Sequence, residues 1–386
     1  MIRRLTAACL AALLPLVALA QSPERALSGV VAAIEANRLD LAMERVERLI
    51  AEHPNFQLAH LIRGDLLQAR AKPLQTFGDV VKTVPQERVE GLRAEALARL
   101  QALRERPHGE RWPRALLQLH PGQTHALLVD SRRSRLFVFE NVQGRPRLVE
   151  DFYVTLGKRG MDKAREGDQK TPIGVYHVTA SLPRQKLTDF YGPGAYPINY
   201  PNAWDRQRGR NGYGIWVHGT PRDTYSRPPR ASDGCIVLAN PDLLSVGRLV
   251  QVGATPVIIA DEIEWADPEQ VEHDRATLAA ALDRWRADWE SRDAERYLEH
   301  YAADFHSDSQ DRDAWFAHKR AVNAGKTWVK VSLSEVSMLR YPRESDMVVV
   351  SFRQDYRSNN FSNVMRKLQY WKKQDGRWRI LYEGSA

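Results

Sequence analysis

Cysteine is nearly absent: 386 residues carry two, Cys9 and Cys235. Cys9 falls in an N-terminal stretch with a basic start, Met1 to Arg4, an apolar body, Leu5 to Leu19, and a small-residue cleavage pattern at Ala18-Leu19-Ala20. Together these predict an export signal over residues 1–20. The mature chain then begins near Gln21 with a single thiol. That excludes an internal disulfide, and a lone thiol in an oxidising compartment risks mispairing unless chemistry requires it. Long apolar runs are also missing: beyond the leader none approaches the ~20 residues that span a bilayer. The mature protein is therefore expected to be periplasmic, soluble or loosely attached. An acidic excess is absent as well. Lys+Arg number 56 against 48 Asp+Glu, and losing Arg3 and Arg4 with the leader leaves 54 against 48, about +6. That balance suits a polyanionic partner such as a wall polymer or a membrane face. No run interleaves basic and aromatic residues, so nucleic acid is not expected. His300 and His306 lack a third ligand at metal spacing, and neither a metal nor a cofactor is expected.

What is present centres on Cys235. It ends the string Arg230-Ala231-Ser232-Asp233-Gly234-Cys235 and precedes Ile236-Val237-Leu238, so a polar, Gly-containing turn should enter a buried strand at the thiol. Such a turn exposes backbone N–H groups beside the sulfur. His218 ends another short apolar strand, Gly214-Ile215-Trp216-Val217-His218-Gly219-Thr220, and two strand ends can bring thiol and imidazole together. The thiolate is the nucleophile and a free thiol is mostly protonated at neutral pH, so an imidazole both lowers that cost and carries the proton to a leaving amine.

His-Gly-Thr, a polar loop, then Ser-x-Gly-Cys resembles the L,D-transpeptidase catalytic domain (YkuD) family of bacterial cell-wall enzymes. The resemblance covers about residues 123–262 and includes Gly167-Asp168-x-Lys170-Thr171-Pro172-x-Gly174-x-Tyr176, similar to the family's upstream Thr-Pro-x-Gly segment. It implies Cys235 as nucleophile, His218 as base, and Gly219 as the residue whose carbonyl orients the imidazole. It also implies Gly234 and Cys235 as donors of oxyanion-hole N–H groups. Ser232 matches the serine of the turn, with holding the turn as its expected role. Tyr200 sits where an aromatic substrate-site residue is often found. The chain departs from the pattern at Asp233, where many members carry His or Arg, and at Val237, where many carry Asn; here Asn240 follows three positions later. Asp233 would oppose thiolate formation if it pointed inward, so it is expected to face solvent or Arg230. Arg222, Arg227 and Arg230 lie on the loop overlooking the pair, as candidate clamps for substrate carboxylates or as solvated charges.

The fold class is expected to be multidomain. Apolar residues at three- and four-residue steps, Val30, Ile34, Leu41, Val46, Leu49 and Ile50, predict helices broken at Asn37 and Pro54. This helical region, 21–118, resembles a tetratricopeptide-like unit, with a loop near Lys72 to Gln86 and a helix over 88–104. Short β-branched segments bounded by Gly, Pro, Asn or Asp predict a strand-rich catalytic domain over 123–262. The stretch from Lys186 to Tyr213 shows little periodicity and reads as a substrate lid. After Asp261 and Glu262, Leu278, Ala281, Leu282, Trp285 and Trp289 predict an amphipathic helix, Tyr297, Tyr301 and Phe305 a second, and strands follow at 328–338, 346–356, 363–373 and 377–382. Over 272–384 this order resembles the nuclear transport factor-like cone-shaped α+β family, expected to bind or dimerise. A chain ending near Glu264 is then expected to keep the acylation chemistry.

By resemblance, Cys235 attacks the carbonyl between a diamino acid at stem position three and D-alanine at position four of peptidoglycan, leaving a thioester. The acceptor stays open: a second stem peptide gives a 3→3 crosslink, a lipoprotein lysine gives an anchor, and water makes the protein a carboxypeptidase or amidase. A wall-binding scaffold without catalysis is the rival from another class.

Overall fold

The computed structural model describes residues 23–79, 85–105, 110–344 and 346–385. The expected leader, Cys9 included, lies outside them. Among the described residues no helix is long and apolar enough to cross a membrane.

Four helices, Pro23–Glu35, Leu39–Glu52, Gln57–Ala69 and Gln86–Arg104, form the N-terminal region. Asn37 takes a left-handed conformation in the first turn (φ 55°), which asparagine tolerates better than bulkier residues. Val30, Val46, Leu49 and Phe56 are buried between the helices, and Tyr225 of the catalytic domain joins their core, 4.2 Å from Phe56. A buried charge cluster completes the dock. Arg99 is paired with Glu24 and with Glu95, while Glu24 reaches Arg135 of the next domain at 2.6 Å and Arg135 reaches Asp151 at 2.5 Å.

The middle domain is two facing sheets. One has five strands in the order 145–153, 135–142, 125–130, 256–260, 174–177; the other has four, 236–237, 216–218, 194–197, 182–183. Leu127, Val129, Leu136, Val138, Val257 and Ile259 point from the five-stranded sheet into the space between the two. Their neighbours in sequence, Leu128, Phe137, Phe139 and Ile258, point the other way and are equally buried, against Leu339, Met347, Val349, Tyr370 and Leu381 of the C-terminal domain. A sheet buried on both faces explains the unbroken runs Ala126-Leu127-Leu128-Val129 and Val257-Ile258-Ile259-Ala260, which alternation would otherwise have interrupted.

The C-terminal domain packs helix Pro268–Ser291 through Leu278, Ala281, Leu282, Trp285 and Trp289 onto a six-stranded sheet. Tyr301–Ser307 is a strand, where a helix was expected. It runs parallel to 377–385 with a register shift between Tyr301 and His306, so Tyr301 and Phe305, four apart, both point inward and imitate helical spacing. Inside, the Glu383 carboxyl is pushed up by burial but pulled lower, to about 2, by Lys367 and Lys319. Residues 110–118 are not part of the helical region: Trp112–Pro113 pairs with Trp265–Ala266, and Leu116–Gln118 adds the sixth strand, beside 329–340. Helical spacing cannot register in strands of two and three residues.

Candidate active site

Parallel pairing places Val217 against Ile236 and His218 against Val237. Side chains alternate along a strand, so Trp216, His218, Cys235 and Val237 share one face. His218 is buried, and its Nδ1 lies 2.7 Å from the Gly219 carbonyl, which can only accept, so Nδ1 carries the proton and Nε2 is the basic nitrogen. Tyr191 and Phe190 wall the imidazole, with ring centroids 5.0 and 6.0 Å away. Gly219 donates its own N–H to the Tyr191 carbonyl (3.1 Å). A Cβ on Gly219 would overlap Asn240 and come within 2.8 Å of Pro193. Asn240 does not face outward as a substrate contact: its Oδ1 accepts from the Thr220 N–H at 2.9 Å and holds the His-Gly-Thr turn.

Cys235 is partly buried and donates its thiol proton to the Gly214 carbonyl at 3.4 Å. Gly234, before it, has φ +124°, and a Cβ there would sit 2.6 Å from the Lys170 carbonyl, so only glycine fits. Ser232 Oγ donates to the Cys235 carbonyl (2.7 Å) and accepts the Gly234 N–H (3.1 Å). The Gly234 N–H is thereby engaged by the turn, contrary to the expectation that it serves an oxyanion. Thr171 of the upstream motif donates to the Gly234 carbonyl (3.0 Å) and accepts the Gly157 N–H (2.9 Å), tying that motif to the thiol turn.

Asp168 anchors the same motif. Burial pushes its carboxyl up, but the Ala164, Arg165 and Lys170 N–H groups and the Lys163 ammonium outweigh that and hold it at about 2. A carboxyl depressed on folding contributes stability that is complete above its ordinary value near 3.8 and lost as pH falls through about 2. Asp168→Asn is expected to cost about 2 kcal/mol in urea unfolding at pH 7, with the gap to wild type shrinking below pH 3. A constant gap across that range would refute the charge argument.

The other expected residues are placed as follows. Asp233 faces solvent and pairs with Lys158 at 2.8 Å, not with Arg230. Arg230 turns to the Ser131 carbonyl (3.1 Å), and Arg222 pairs with Asp189 (3.0 Å). Tyr200 is buried, its hydroxyl 3.2 Å from the carbonyls of Lys163 and Asn211, so it braces the core at that point. The expected lid dissolves likewise: Gly194–Pro197 is an inner strand paired with Trp216–His218, and Trp204 stacks on Tyr370 of the C-terminal domain. Of that stretch, Phe190 and Tyr191 pack against the imidazole. The sequence does not single out Phe190, since an aromatic in a loop carries no periodic signal.

Burial pushes the Cys235 thiol up to about 11, with Asp233 adding and the Trp216 backbone, Lys163 and Arg227 opposing. Burial lowers His218 to about 4; the Gly219 carbonyl opposes and Arg227 adds. The resting pair is therefore neutral thiol beside neutral imidazole. Alkylation of the free protein by a small neutral reagent should rise about tenfold per pH unit from pH 7 to 9, following the thiolate fraction. A flat rate over that interval would mean a preformed thiolate–imidazolium pair.

Residues 124–259 match the L,D-transpeptidase catalytic domain model (YkuD). The middle domain is an L,D-transpeptidase catalytic domain. Residues 277–384 match the Cds6 C-terminal NTF2-like domain, the cone-shaped fold of nuclear transport factor-like proteins. Two solved structures combine high coverage with similar folds. Bd1075 of Bdellovibrio bacteriovorus is 27% identical, with a TM-score of 0.63, over 72% of this chain and 98% of its own. The helical cell shape determining protein Pgp2 of Campylobacter jejuni is 27% identical, with a TM-score of 0.60, over 70% of this chain and 95% of its own. The chain has no match among curated proteins. The L,D-transpeptidase domain match supports a cell-wall protein and implies peptidoglycan binding in general.

Proposed function

We propose that the protein is an exported, periplasmic cysteine acyltransferase acting on peptidoglycan stem peptides, with Cys235 as nucleophile, His218 Nε2 as base and Gly219 as the residue that orients the ring. The observation that carries this reading is the shared strand face of Cys235 and His218, with Nδ1 locked on the Gly219 carbonyl. As the thiol attacks the amide carbonyl between the L-centre of the diamino acid and D-alanine, its proton passes to Nε2. The C–S bond forms, the C–N bond breaks, and the imidazolium returns the proton to the departing amine. An amine acceptor then gives a crosslink or an anchored lipoprotein.

One observation favours a second reading, in which water resolves the thioester and the protein is an L,D-carboxypeptidase. A transferase must keep water from its thioester, and beyond Phe190 and Tyr191 much of the stretch expected to cover the site, Gly194–Pro197 and Tyr200 included, is instead built into the sheet and core. Incubating purified protein with tetrapeptide-bearing muropeptides and counting products by mass spectrometry decides between them. Crosslinked dimers support transfer and tripeptides alone support hydrolysis. Unaltered tetrapeptides from folded protein would overturn both readings in favour of a scaffold.

A further inference from the structure

Arg227 stands out among the charged groups around the thiol. Among the described residues its guanidinium has no hydrogen-bond or ion-pair partner; it lies over the Phe190 ring, 4.8 Å from the centroid. Phe190 also packs against His218, so the cation and the imidazole share one aromatic wall. Burial lowers the Arg227 pKa, with Asp233 and the Cys235 sulfur as the opposing influences. Half-burying an unpaired cation is costly. Its backbone is nevertheless pinned: the Arg227 carbonyl accepts from the Tyr153 hydroxyl (2.9 Å) and Thr155 Oγ (3.0 Å). On the preceding side Ser226 donates to Glu95 of the helical region (2.7 Å), and Tyr225 is sunk in the helical core. Helical region and catalytic sheet together hold the cation where it is.

The chemistry of the donor says what anion fits there. The amine that leaves takes its proton from His218. If the leaving group is a single amino acid, its carboxylate carbon is two bonds from that nitrogen, about 2.5 Å. A carboxylate so near the imidazole meets a guanidinium on the same aromatic wall, in the charge-assisted pairing that arginine favours. We propose that Arg227, seated on Phe190, is a specificity-determining residue that reads the free carboxylate of the leaving amino acid and so selects donors whose scissile amide lies one residue from the end of the stem. This rests on the acyl-donor reading above. In the step it serves, the C–S bond forms, the C–N bond breaks, and the free amino acid departs as a neutral amine with its carboxylate paired to Arg227.

The test uses the full mature protein and three synthetic tetrapeptide stems: one with a free C-terminal carboxylate, one with that carboxylate amidated, and one amidated only on the side-chain carboxylate of the diamino acid. Release of the C-terminal residue gives kcat/KM for each. Wild type should prefer the free acid over its C-terminal amide by on the order of 100-fold and be indifferent to the side-chain amide. Arg227→Gln should lower the free-acid rate by about the same factor and leave the C-terminal amide nearly unchanged, collapsing the preference; Arg227→Lys should restore part of it. Equal losses on both donors, or a wild type that takes acid and C-terminal amide alike, overturns the assignment, as does discrimination that follows the side-chain carboxylate. A wild type that turns over none of the three while its thiol alkylates normally overturns the acyl-donor reading itself, and this inference with it.

Discussion

Cys235→Ala is expected to lose every covalent activity, with donor turnover falling by at least roughly four orders of magnitude while the thermal transition moves little. Removal of a nucleophile costs on that scale where the other groups cannot substitute for it. The structural cost is small: the thiol's hydrogen bond to Gly214 is long, and the turn is held by Ser232, Thr171 and Gly234 without help from the sulfur. Cys235→Ser should be nearly as inactive. A neutral imidazole must ionise the attacking group as the substrate arrives, and a hydroxyl is far harder to ionise than a thiol. An acylating β-lactam of the carbapenem type should add once to wild type and not to the alanine variant. An adduct retained by Cys235→Ala would remove Cys235 from the mechanism.

A chain ending at Glu264 is expected not to fold, which reverses what the sequence suggests for the C-terminal module. The cut bares Leu128, Phe137, Phe139, Val175 and Ile258 on one face of the five-stranded sheet. At about 1.5–3 kcal/mol for each large apolar side chain, the loss is on the order of 10 kcal/mol, comparable to the whole stability of a typical domain. Leu116–Gln118 also loses its strand partner, and Arg343, paired with Asp261 on one side and Asp162 on the other, is removed. The truncated protein should be aggregated, or bind a hydrophobic dye and melt without cooperativity. A sharp transition within a few degrees of the full chain, with thiol alkylation intact, would show that the sheet face tolerates water.

The meeting of Cys235 and His218 at neighbouring strand ends was legible in the sequence, because each stands where a short apolar run meets a polar, Gly-containing turn. So was the order of strands from 329 onward, where β-branched and aromatic residues run long enough to show their period. The layering was written there too, in Ala126-Leu127-Leu128-Val129, but a continuous apolar run does not say what covers the second face. Gly194–Pro197 hid because glycine and proline argue against an inner strand, and this one is held by its neighbours on both sides. The Arg227–Phe190 contact was illegible for a different reason: it joins two loops through space, and nothing in either loop names its partner.

Leu116–Gln118 completes a sheet whose other members lie far along the chain; the Gln118 amide donates to the Val336 carbonyl, 218 residues on. The chain therefore cannot finish its middle domain when that domain's last strand has emerged. It must wait, with an apolar sheet face uncovered, until the residues beyond Val329 arrive. High contact order of this kind slows folding and prolongs exposure of sticky surface. A polypeptide made N-terminus first passes through such a half-built state each time it is synthesised, so holdase chaperones are expected to govern its yield more strongly than the stability of the finished fold does.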